Sequence, residues 1–182
     1  MTPSIKNALL TIPAVVVSFI GWQWYQTHFP SWDEEVQLSD GRLITVHRAH
    51  KLNTDHVLVE TTLTLDLPEL GGKRTWTESL YPAIVDIHQG QVYVVGQVTY
   101  KSAWQYKYPR YGFAAYRYTT AGWQRMPFID LPPVVREREN IAYCIHAADQ
   151  ASWQVKQTGW CNSSGDFVVG LQRTINVAAH ET

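Results

Sequence analysis

The feature that most constrains this chain is a run near its start without a charge. Ala8 to Tyr25 reads ALLTIPAVVVSFIGWQWY, 18 positions with no Asp, Glu, Lys or Arg. As a helix it would extend about 27 Å, near the short end of what spans a hydrocarbon core. Lys6 precedes it, and the first charges after it are acidic: Asp33, Glu34 and Glu35. That asymmetry predicts a cytoplasmic N-terminus and a main domain on the periplasmic or extracellular side. Trp22, Trp24 and Tyr25 gather at the far end, where amphipathic rings suit a headgroup layer. Pro13 weighs against a perfectly regular helix, although lipid-embedded helices tolerate proline. The expectation is an uncleaved, single-pass transmembrane helix that contacts lipid through residues 8–25. A cleaved signal peptide is the competing expectation, but FIGWQWYQT offers no small-x-small site. A helix buried in the fold is the third.

Pro30 should stop any helix that continues past Tyr25. Two parts are therefore expected: residues 1–31 as anchor and short linker, and residues 32–182 as an extracytoplasmic, mainly-β domain. The second part has an ordinary single-domain size. Its composition narrows the possibilities. The net charge of −1 disfavours a general nucleic-acid binder and an acidic disordered chain. Aromatic residues reach 13%, enough to build a core.

Period-two patterns dominate the second part. Val36–Leu38 and Leu43–Val46 flank Ser39-Asp40-Gly41-Arg42, a hairpin signal because Asp-Gly tolerates positive φ. From Val57 to Asp66 one face carries Val57, Val59, Thr61, Leu63 and Leu65; the other carries Leu58, Glu60, Thr62, Thr64 and Asp66. Gly71-Gly72 turns the chain towards Arg74–Leu80. Ala83 to Tyr100 reads as a hairpin about Gln89-Gly90, with Gly96 marking a bulge or a tight approach. Trp104–Tyr108 and Phe113–Tyr118 form another candidate pair, followed by Trp123–Met126 and a last strand over Phe167–Val177. A short helix is expected within Leu131–Gln150, opened by Pro132-Pro133. The fold class expected is mainly β: a transmembrane helix, then one antiparallel β-sandwich or barrel-like domain with room for one short helix.

Cys144 and Cys161 make an even count, which in an oxidising compartment predicts one disulfide. Closing that loop would stabilise the fold by about 3 kcal/mol. Metal binding is not expected. There is no CxxC pair, and on one strand His47 and His50 would point to opposite faces, so only a loop would bring them together with His56. The sequence also lacks a GxSxG elbow, an HExxH pair and a phosphate-binding glycine loop, so no catalytic residue and no cofactor are assigned.

The most unusual stretch is YKSAWQYKYPRYGFAAYRYTTAGW, Tyr100 to Trp123, which has four basic residues and no acid. Trp104, Tyr106 and Tyr108 would share one strand face, and Tyr116 and Tyr118 another. The expected contact face is Trp104, Tyr106, Tyr108, Arg110, Tyr116 and Arg117, offering aromatic anchors and charge-assisted contacts. The competing reading packs these rings into a thin core beneath Lys and Arg stems. The function expected is a membrane-anchored, non-catalytic envelope protein whose β domain binds or scaffolds a protein in or near the membrane. An accessory subunit of a membrane complex and an envelope hydrolase acting on wall polymer or glycan are the alternatives.

Overall fold

The alternating segments fold as strands because each places a row of apolar side chains on one side. A computed structural model describes residues 5–98, 112–136, 139–141, 152, 159–161 and 167–169, with backbone alone for 5–14, 159–161 and 167–169. Helix α1 spans Ile5–His28. A first antiparallel sheet follows from β1 (Ser31–Gln37), β2 (Leu43–Leu52), β3 (Leu58–Leu67) and β4 (Gly72–Glu78), in that order. A second is built from β5 (Leu80–His88), β6 (Gln91–Val98), β7 (Phe113–Thr119) and β8 (Gly122–Met126), also in chain order. Helix α2 is the single turn Pro133–Arg136, and β9 (Gly159–Cys161) pairs with β10 (Phe167–Val169).

Both sheets are meanders of short hairpins, as the turn residues dictate. Leu38 N–H donates to the Arg42 carbonyl at 2.8 Å, and Gly41 takes φ +87° in the turn between them. Gln89 and Gly90 both have positive φ, 51° and 76°, the geometry that matches a two-residue turn to the twist of its strands.

One core joins the two sheets. Val36, Val46, Leu63, Leu65 and Trp76 from the first pack with Val85, Ile87, Val92, Val94, Ala114 and Tyr116 from the second. The arrangement is a face-to-face sandwich. Sheet two is buried on its other side as well, where Ile84, Val95, Phe113 and Ala115 meet Phe128, Leu131 and Val135. The outer side of sheet one is polar, with Thr62 and Thr77 bonded across strands at 3.2 Å.

Two latches tie the sheet edges. Asn140 donates from Nδ2 to the Val85 and Gln37 carbonyls (2.7 and 2.9 Å), while its Oδ1 accepts from Val85 N–H at 2.9 Å. On the other side, Trp123 Nε1 on β8 donates to the Thr75 carbonyl on β4 at 2.6 Å.

Several expectations change here. The fold is mostly β, but among the described residues no helix is long and apolar enough to cross a membrane. After Ile20 the described part of α1 carries Gln23, Gln26, Thr27 and His28, which end the apolar run. The transmembrane helix, its lipid contact through residues 8–25 and the single-pass topology with an external main domain are therefore withdrawn. The helix expected within Leu131–Gln150 is four residues long in its described part. Asn140 and Ile141 leave it to donate backbone bonds to the Ala83 carbonyl (3.0 and 3.2 Å). The alternation along β3 holds from Thr61 onwards, but an extra residue opposite Lys51 and Leu52 turns Leu58 inward and leaves Val57 exposed. Of the last expected strand, Phe167–Val169 is a described strand and the rest lies outside the described residues. No disulfide is found among the described residues. Cys161 pairs with Phe167 through the β9–β10 ladder, and Cys144 lies outside the described residues. The expected bond is withdrawn with the oxidising location that motivated it.

Candidate functional site

The strand alternation places polar residues where core residues are expected. On β1, Trp32, Glu34 and Val36 share the inward side; on β2, Val46, Arg48, His50 and Leu52 do. The half nearer the turn to β3 is thus polar and fully enclosed: Glu34, Arg48, His50 and Thr61 are all buried.

Their bonds form one chain. Arg48 Nε donates to His50 Nε2 at 2.7 Å. Arginine only donates, so His50 Nε2 accepts and the neutral ring carries its proton on Nδ1. That proton points to Thr61 Oγ1 at 3.0 Å. Arg48 Nη1 reaches Glu34 Oε2 at 3.4 Å, a buried ion pair. Aromatic faces close the cluster. Trp32 stacks on His50 with centroids 5.2 Å apart and also lies under the Arg48 guanidinium at 5.0 Å. Tyr81 flanks His50 at 6.2 Å.

The electrostatics follow from enclosure. Burial pushes the His50 imidazole down to about 2, and the neighbouring Arg48 charge pushes the same way. Burial lowers the Arg48 guanidinium too, against the opposing pull of Glu34. Arginine keeps its proton in such surroundings, so the pair is a carboxylate facing a cation. Losing one member of a buried pair costs about 3–5 kcal/mol, because the other charge is left without compensation.

The main-chain ladder of β1 and β2 ties down the root of α1 beside this cluster. His50 N–H donates to the Pro30 carbonyl at 2.9 Å, at the junction between α1 and β1. The helix beyond the junction is apolar and uncovered. Val15, Val17 and Ile20 are 67%, 69% and 61% exposed, and Val16, Phe19, Trp22, Trp24 and Tyr25 are also exposed. At 100° per residue, Val15 to Val17 with Phe19 and Ile20 cover an arc of about 200°, and Trp22 and Tyr25 carry the exposed apolar surface round the remainder.

The contact face expected from sequence is only partly within view. Trp104, Tyr106, Tyr108 and Arg110 lie outside the described residues. Tyr116 is buried in the shared core, edge-on to Trp76 at 5.6 Å, while Arg117 on the same strand is exposed. These two therefore lie on opposite sides of β7. Tyr118 also faces inward, under the Arg74 guanidinium at 4.6 Å and edge-on to Trp123 at 5.2 Å.

His47 and His50 do point apart. His47 is exposed and pairs with Asp33 at 2.8 Å, while His50 is enclosed. Among the described residues, no group of three or more His, Cys, Asp or Glu is placed to hold a metal ion. Sequence reasoning missed the Glu34–Arg48–His50–Thr61 chain. Its signal was available: Glu34 lies in phase with Trp32 and Val36, and Arg48 in phase with Val46. Comparison with protein-family models, with curated proteins and with solved structures finds no match.

Proposed function

We propose that this chain is a protein-contact module in which a β-sandwich presents α1 to an apolar helical groove of a partner protein. The observation that carries this is the exposed apolar surface running round α1 from Val15 to Tyr25. Contiguous apolar surface of this kind marks an interaction site, and a helix apolar on all sides requires a partner that encloses it. The envelope protein with a lipid anchor is withdrawn because no described helix is long and apolar enough to cross a membrane. The membrane-complex subunit and the envelope hydrolase rested on the same anchor and go with it.

Size supports a protein groove. Four rings, Phe19, Trp22, Trp24 and Tyr25, are 54–58% exposed, so each offers roughly half of the 150–250 Å² that such a side chain can bury. Together with three valines and Ile20 they approach the ~800 Å² that each side of a stable complex buries. The main-chain bond from His50 to Pro30 fixes the helix root, which reduces the entropy lost on docking.

The test is photo-crosslinking in the native host from a reactive residue at Ile20. The identified adduct is then purified and its binding to the full chain measured. Binding should weaken at least tenfold in Phe19→Glu, while circular dichroism of the sandwich is unchanged. Adducts to lipid alone, self-adducts alone, or a partner indifferent to Phe19→Glu would each sink the proposal.

A further inference from the structure

At the base of α1, two imidazoles approach each other outside the buried cluster. His28 ends the helix, and His56 sits in the turn between β2 and β3 with centroids 5.3 Å apart and planes inclined by 35°. Such a spacing is common for ring contacts, so the nitrogen chemistry decides what it means.

The tautomer of the His28 ring is well defined. His28 Nδ1 lies 2.8 Å from the Trp24 carbonyl, and a carbonyl only accepts. The proton of the neutral ring is therefore on Nδ1, and Nε2 presents a bare lone pair. Donation of the other ring N–H to a backbone carbonyl is the arrangement that orients metal-bound histidines. Stacking on Trp24, at 4.4 Å and 22°, holds the ring in place. His28 is largely buried, at 8% exposure, and its Nε2 makes no hydrogen bond among the described residues. His56 is exposed and its ring likewise makes no hydrogen bond among the described residues.

The separation fits a shared ion. With Zn–N near 2.0–2.1 Å, and ring centres about 1.1 Å behind their nitrogens, two imidazoles on one tetrahedral ion have centres about 5.2 Å apart. We propose that His28 and His56 form a two-imidazole site for a borderline divalent cation, Zn²⁺ or Cu²⁺, at the root of α1. Two protein ligands leave the remaining positions to water or to a side chain of a docked protein. The absence of a third protein ligand among the described residues makes the site weak by itself and open to completion from outside. Cu²⁺ should bind more tightly than Zn²⁺, following the usual order for nitrogen ligands. The site stands on these two residues and does not depend on α1 docking to a partner.

The test is calorimetric titration of the full chain with Zn²⁺ at pH 7.5. Three variants accompany it: His56→Asn, His28→Gln and His47→Gln. Asn tolerates the φ of +56° at position 56, so the turn is retained. Affinity should fall roughly tenfold or more in His56→Asn and in His28→Gln, the usual cost of disturbing a metal site, and stay within about twofold in His47→Gln. Cu²⁺ should also quench fluorescence less in Trp24→Phe than in the parent, because Trp24 stacks on His28. No Zn²⁺ binding by the parent chain overturns the proposal. So does a His56→Asn variant that binds like the parent, whatever His28→Gln does to the helix end.

Discussion

Gly96 shows how one side chain, or its lack, sets the spacing between two elements. A Cβ at this position would stand 2.7 Å from Leu80 Cβ and 2.9 Å from Leu80 Cδ1, with Trp76 Cη2 at 3.3 Å. Strand β6 can lie this close to the β4–β5 crossing only because position 96 is bare. Gly96→Ala should lower the stability of the sandwich by about 1–3 kcal/mol, the usual cost of overpacking. Urea unfolding followed by Trp fluorescence would measure it. Leu80→Ala should give little rescue, because the nearest atom is Leu80 Cβ and alanine keeps it. Full rescue by that second change would show that the strain lies elsewhere. The sequence alone pointed to this glycine, since it interrupts the β-branched run VYVVGQVTY.

At the scale of elements, what was legible follows from which signals are local. Asp40-Gly41 and Gln89-Gly90 placed two hairpins because positive φ is a property of a few residues. The inward positions of β3 were legible from Thr61 onward for the same reason. Side-chain alternation needs no knowledge of the partner strand. The parity switch at Leu58, the four-residue length of α2 and the Asn140 latch were not legible, because each depends on residues far away in sequence. Likewise the polar chain of Glu34, Arg48, His50 and Thr61 needed the β1–β2–β3 register before its members could meet. The apolar run at the start was legible as a helix, but its sequence was read further than the structure allows. Asn140 offers a direct check on such a distant contact. Asn140→Ala would leave buried Val85 N–H without its side-chain acceptor and remove both bonds from Nδ2. Stability should fall by about 2–4 kcal/mol, and hydrogen exchange should quicken at Val85 on the β5 edge before the β2–β3 ladder. Uniform acceleration across both sheets would mean that the latch belongs to one global unit instead.

The whole molecule should respond to acid through its enclosed imidazole. His50 is surrounded by Arg48 and Glu34 from β1 and β2, Thr61 from β3 and Tyr81 from β5, with Trp32 over its face. A proton arriving on Nε2 would face the Arg48 N–H, donor against donor. Burial, with the Arg48 charge, holds the folded-state value down to about 2, whereas an exposed histidine takes its proton near pH 6.5. Above about 6.5 both states are neutral at this residue and its contribution is fully present. Below that the unfolded chain binds a proton that the folded chain refuses, so stability falls by about 1.4 kcal/mol per pH unit until the folded-state value is reached. Between pH 7 and 4 this one residue should cost about 3 kcal/mol. In His50→Gln the side-chain oxygen can still accept from Arg48 Nε, but no proton is taken up on unfolding. The variant should be less stable than the parent at pH 7, where its packing is poorer. Its stability should then fall less steeply, by one proton's worth of slope, between pH 6 and 4. Unfolding free energies of the two proteins, measured in urea at half-unit pH steps, give the comparison. Parallel curves would show that position 50 is hydrated and already titrates in the folded state.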